Sequence, residues 1–104
     1  MSDTKPSYVV EPGDPFGKEV GFTKARFMGY ISKVDGVVWI SAIISKKPGR
    51  GNFSQLVKAI EAKGYTVKVP TPFPHMVAIL KHWGFRQTFE WAEEMGEDVE
   101  VWVR

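Results

Sequence analysis

Apolar positions along this chain change period several times, and each change predicts an element. Residues 27–33 read as a strand. Asp35-Gly36 follows, a pair tolerant of positive φ that predicts a tight type I′ hairpin turn. Residues 37–45 return as VVWISAIIS, an almost unbroken apolar run. Such a run predicts a central strand covered on both faces. Phe53, Leu56, Val57 and Ile60 then fall at i, i+3, i+4 and i+7, the spacing of an amphipathic helix beginning near Ser54. Ser54, Gln55, Lys58 and Glu61 fall on its other faces, and Gly64 supplies the stop. Tyr65, Val67 and Val69 alternate with Thr66 and Lys68 as a strand. It ends in Pro70-Thr71-Pro72-Phe73-Pro74, which cannot extend a ladder. Met76, Ile79, Leu80 and Trp83 repeat the helical spacing, closed by Gly84. Residues 86–91 and 99–103 read as two more strands, joined by an acidic turn around Gly96. Before all of these, Tyr8-Val9-Val10 reads as a short strand. Residues 11–23, with two prolines and three glycines, read as a loop holding at most one helical turn.

The order predicts an α/β domain with a mixed sheet and two main helices. Residues 37–69 form a βαβ unit, so its strands should be parallel neighbours with a right-handed connection. Hairpins at both ends make the sheet mixed. No internal repeat, low-complexity stretch or domain boundary is visible, and 104 residues suit one domain, 1–104. The sequence is 43% hydrophobic and 25% charged, ordinary for a globular chain. No apolar run has membrane-spanning length and no signal pattern opens the chain, so a cytoplasmic location with no membrane partner is expected. Cysteine is absent, which excludes disulfides, thiolate metal sites and cysteine nucleophiles. With only His75 and His82 as imidazoles, no metal site is expected.

Net charge is +2, but it is unevenly spread. Residues 1–89 hold 13 basic and 6 acidic side chains, a balance of +7; residues 90–104 hold 1 and 6, a balance of −5. The basic part suits an anionic ligand. The acidic stretch of Glu93, Glu94, Glu97, Asp98 and Glu100 suits a cationic one, or is simply a solvated turn and strand.

The densest candidate chemistry is the loop Lys46-Lys47-Pro48-Gly49-Arg50-Gly51-Asn52-Phe53, between a strand and a helix N-terminus. Glycines let the backbone approach an anion and aim several N–H groups at it. The helix end adds unpaired donors and a partial positive charge. Glycine-rich turns of this kind also occur with no ligand, so the loop alone leaves both readings open.

The order of elements resembles the GNAT superfamily of acyl-coenzyme A-dependent N-acetyltransferases. The run Pro48-Gly49-Arg50-Gly51-Asn52-Phe53-Ser54-Gln55-Leu56-Val57 looks like that family's pyrophosphate motif, Gln/Arg-x-x-Gly-x-Gly/Ala before a helix with paired aliphatics. The run from Met76 to Gly84-Phe85 is similar to its later helix, which typically ends in Gly-Phe. The resemblance covers about residues 26–104, with residues 1–24 as a reduced N-terminal segment. It implies a GNAT-like fold that binds acetyl-coenzyme A and transfers the acetyl group to an amine. By resemblance, Ile43, Ile44 and Ser45 would meet the pantetheine arm like an added strand. Gly49, Arg50, Gly51, Asn52, Phe53 and Ser54 would hold the diphosphate.

The departures are specific. Pro48 stands at the usual Gln/Arg position and Phe53 at the final small one. A second register, starting at Lys46, keeps a basic first residue and both glycines. Leu80 stands where many members carry the tyrosine that acts as acid, which leaves His75 as the candidate, or as an ordinary helix-start histidine. His82, beside Trp83, is expected to be structural or exposed. The strand before the loop carries no carboxylate; Ser41 could hold a water, and Glu90 or Glu93 could serve as base only by folding back. The family's two helices between its first strands are reduced to residues 11–24. An open acceptor side suits a protein or peptide amine, and the chain could be monomer or homodimer. Phe89, Trp91 and Trp102 fall on expected edge strands beside the acidic turn, and the open side equally suits a catalytically silent interaction module, an inhibitor or adaptor, using Trp91 and Trp102 as an exposed surface. Nucleic acid is disfavoured, because those aromatics cluster with acids.

Overall fold

In a computed structural model, residues 6–47 and 51–104 are described. The elements run β1 (Val9–Val10), α1 (Pro15–Val20), β2 (Phe27–Val34), β3 (Val37–Ser45), α2 (Asn52–Ala62), β4 (Thr66–Pro70), α3 (Pro74–His82), β5 (Arg86–Ala92) and β6 (Glu97–Val103). They form one six-stranded mixed sheet in the order β1-β2-β3-β4-β6-β5. The turn joining β2 to β3 has positive φ at both Asp35 (46°) and Gly36 (80°), as a type I′ hairpin demands. β3 and β4 pair in parallel across α2, as the crossover predicts.

Four expectations are corrected. Residues 11–23 hold a six-residue helix rather than at most one turn. Its proline and glycine are end signals: Pro15 sits in the first turn, where its missing N–H costs nothing, and Gly21 caps the C-terminus. β6 is not an edge strand, because it inserts between β4 and β5. β3 is central but covered on one face only, with Ile44 64% exposed. Ser54 is buried rather than on an outer face of α2.

The uncovered face has a local cause. β2 pairs with β3 from Phe27↔Ser45 to Tyr30↔Ala42, then resumes at Ser32↔Trp39 with an extra residue on β3. That bulge lies at Ile40 and Ser41. A bulge reverses which residues of a strand face the core. Before it, Val38 and Ile40 are buried; after it, Ile43 packs toward the core while Ile44 faces out beside Met28.

The core lies between the other face and the helices. Leu56, Val57 and Ile60 of α2 join Phe22, Phe27, Ile31, Val38, Val67 and Trp102 in one cluster. α3 contributes only Leu80 as a fully buried side chain, while Ile79 is exposed. Phe53 and Phe85 (6.3 Å between centroids) and Lys58 over the Trp83 ring (5.5 Å) join the two helices' neighbourhoods.

Candidate functional site

The site is a fork in the sheet. Parallel pairing of β3 with β4 spans three residue pairs, Val37↔Thr66, Val38↔Val67 and Trp39↔Lys68, and then stops. Two features end it. The bulge at Ile40 and Ser41 bends β3 immediately beyond the last pair. β4 finishes in Pro70, which has no N–H to donate, and Thr71, whose φ of 40° turns the chain away. Thr71 instead donates its amide to the Glu100 carbonyl at 2.9 Å. Beyond Trp39, the β4-facing backbone of β3 has no strand to pair with among the described residues.

The N-terminus of α2 follows β3 through the loop. Gly51 occupies the N-cap in the left-handed conformation (φ 78°), which favours glycine, and no side chain caps the helix. The first intrahelical bond runs from the Gln55 amide to the Gly51 carbonyl, 2.9 Å. The amides of Asn52, Phe53 and Ser54 therefore precede the ladder, and no hydrogen bond from them is seen among the described residues. Unlike α1 and α3, α2 has no proline in its first turn, so all its early donors are present.

Ser45 closes β3 with a buried side-chain oxygen that has no hydrogen-bond partner among the described residues. A buried orphan hydroxyl is uncommon and costly, and it suits a ligand able to pair with it. Ile43 is half-buried against the core and Ile44 is exposed. Gly49 and Arg50, both predicted to hold the diphosphate, lie outside the described residues, as does Pro48. Phe53 turns toward Phe85 and packs against the core, as part of α2's apolar face.

Arg26 is a cation that sequence reading missed. Its carbonyl accepts from the Lys46 amide at 2.7 Å, and its guanidinium donates to Gln55 Oε1 at 3.2 Å. It therefore stands between the start of the loop and the first turn of α2. Counting down the hairpin from Asp35-Gly36 brings residue 26 opposite the end of β3, so the signal existed in the register.

The candidate acid and base separate. His75 is exposed in the first turn of α3, stacked on Phe73 with centroids 6.0 Å apart and planes 7° apart. Leu80 is fully buried, so its position offers no group to the site. Glu93 is exposed in the β5–β6 turn. Glu90 accepts from Lys68 Nζ at 2.8 Å, and that ammonium lies 5.2 Å from the Trp39 ring centroid. Trp39 and Lys68 are the last parallel pair, so Glu90 is held at the root of the fork. Ser41 is exposed on the bulge.

Trp102 is 4% exposed and donates to Glu100 at 2.7 Å, so it is not part of an exposed aromatic surface. Phe89 and Trp91 remain open. An open hollow of about 690 Å³ lies beside β2, lined by Glu11, Pro12, Asp14, Lys18, Lys24 and Gly29 among others, where the reduced N-terminal segment runs. Among the described residues, no helix is long and apolar enough to cross a membrane. Protein-family models, curated proteins and solved structures give no match to this chain.

Proposed function

We propose that this chain is a small GNAT-type acyltransferase that binds acetyl-coenzyme A and transfers its acetyl group to an amine on a protein or peptide. The observation that carries the proposal is the fork: two parallel strands part after three pairs, beside a helix N-terminus with uncapped amides. In open α/β sheets, ligands bind beyond the carboxyl ends of parallel strands, where the chain diverges.

The residues fit the ligand's parts. Amides of Asn52, Phe53 and Ser54, with Arg26 and Lys46 nearby, suit a diphosphate. The unpaired edge of β3 and the orphan Ser45 hydroxyl suit an amide-rich arm. Acetyl-coenzyme A supplies a thioester carbonyl, and β3 backbone N–H groups would stabilise charge developing on its oxygen. Glu90 is the better candidate to take a proton from the incoming amine, because it stands at the root of the fork. His75 is the candidate to protonate the leaving thiolate. The amine is best carried by a peptide, since the uncovered sheet face encloses nothing.

Thiol release from acetyl-coenzyme A, measured against a panel of peptides and small amines, tests the proposal. Turnover is expected with peptides, and Glu90→Gln should lower it by about 10²-fold or more while leaving acetyl-coenzyme A binding intact. Binding without turnover for any acceptor would instead support a silent interaction module on the same scaffold. The exposed Phe89 and Trp91 favour that second reading.

A further inference from the structure

The β5–β6 hairpin carries a surface that the fork does not use. β5 is the outer strand, so one side of its backbone has no strand partner among the described residues. Edge strands are usually blunted by proline, lysine or a bulge. β5, RQTFEWA, has none of these and pairs with β6 in unbroken register. Phe89 and Trp91 are 62% and 63% exposed. The register sets Phe89 opposite Glu100 and Trp91 opposite Asp98, so rings and carboxylates share one face. The side chains of Glu93, Glu94, Glu97 and Asp98 make no ion pair or hydrogen bond among the described residues.

We propose that this hairpin is a docking strand for an extended, lysine- and arginine-rich segment of a partner protein. The segment's backbone pairs with the open edge of β5. Its long side chains lie along the Phe89 and Trp91 rings, with their cations over the ring faces or toward the carboxylates. The charge argument selects this occupant over a second copy. Residues 86–100 carry one basic and six acidic side chains, so pairing β5 with the β5 of a second copy would join two segments of like net charge. The inference goes beyond acyl transfer and does not depend on it.

The test is fluorescence anisotropy with a short labelled peptide alternating lysine and threonine. Saturable binding is expected, weakened about tenfold or more between about 50 mM and about 500 mM salt. Trp91→Ala, and separately Glu97→Lys with Asp98→Lys, should each weaken it about tenfold. Their unfolding midpoints should match the parent, since all three side chains are exposed. N-methylating the peptide amides that face β5 should abolish binding, and methylating the others should not. Equal binding by a glutamate–threonine peptide would overturn the proposal. So would unchanged affinity in both variants, or a dimer in sedimentation that Trp91→Ala dissolves, which would assign the face to a second copy.

Discussion

Two strand-to-helix connections leave the same edge of the sheet, because β3 and β4 are parallel. They are built oppositely. The first is basic and glycine-bearing, and it enters a helix with uncapped amides and three buried apolar side chains, Leu56, Val57 and Ile60. The second is Pro70-Thr71-Pro72-Phe73-Pro74, and it enters a helix with proline in its first turn and one buried side chain, Leu80. One connection presents donors from a firmly seated helix. The other removes donors and steers the chain. Beyond the last parallel pair, the difference leaves a gap with hydrogen-bonding capacity on the β3 side.

The largest expected contrast is in stability. Leu56→Ala should cost about 2–5 kcal/mol in urea unfolding, as a cavity at a fully buried site does. Ile79→Ala, on the exposed part of α3, should cost less than about 1 kcal/mol. Similar losses would mean that α3 is seated as firmly as α2.

The contrast in ligand binding is next. Saturating acetyl-coenzyme A, at about a hundred times its Kd, should stabilise the parent by about 2.7 kcal/mol. Gly51→Asp should abolish that gain. Gly51→Asn places a side chain at the same φ without the charge, and asparagine tolerates that conformation. It should retain most of the gain, which separates repulsion from backbone strain. Equal loss in both variants would assign the effect to strain.

A smaller effect sharpens the second connection. Thr71 is β-branched at φ 40°, which is unfavourable. Thr71→Asn should stabilise the fold by about 0.5–1 kcal/mol in thermal unfolding, since the backbone amide to Glu100 is unaffected. A destabilised variant would show that the threonine side chain is itself needed there.

The smallest effect concerns how α1 is tied to α2. The hydrogen bond and charge of Lys63, 2.7 Å away, hold the Glu19 carboxyl below its ordinary value of 4.5. A lowered folded pKa stabilises above the unfolded value, and the benefit disappears as pH falls through the folded one. Lys63→Ala should return Glu19 to the ordinary range in an NMR titration. The stability difference between parent and variant should be slight at neutral pH, because the pair is exposed, and should vanish in acid. A difference that persists in acid would exclude the pair as its source.

Much of this fold was legible because its signals are local. Asp35-Gly36 fixed the hairpin, and the spacing of Leu56, Val57 and Ile60 fixed α2. The βαβ unit followed from chirality and length. What was not legible depends on pairing between distant segments. Nothing in residues 97–103 says that they insert between β4 and β5, and that insertion is what buries Trp102. The apolar run of β3 concealed a bulge, so Ile44 read as covered when it faces out. Pro15 and Gly21 read as loop residues because the same types also bound helices. Around the candidate site, the strand β3 and the helix α2 were legible, Arg26 beside them was not, and the pairing of Glu90 with Lys68 depends on a sheet order the sequence does not show.

The central claim is that acetyl-coenzyme A sits in the fork, on the first turn of α2 and the open edge of β3. Titrating the ¹⁵N-labelled chain with it and following backbone amide shifts tests this most directly. The largest shifts should fall on Gly51, Asn52, Phe53 and Ser54, and on Ile43, Ile44 and Ser45, saturating together. Shifts confined to the β5–β6 hairpin or the hollow beside β2, or no shifts at millimolar ligand, would contradict it.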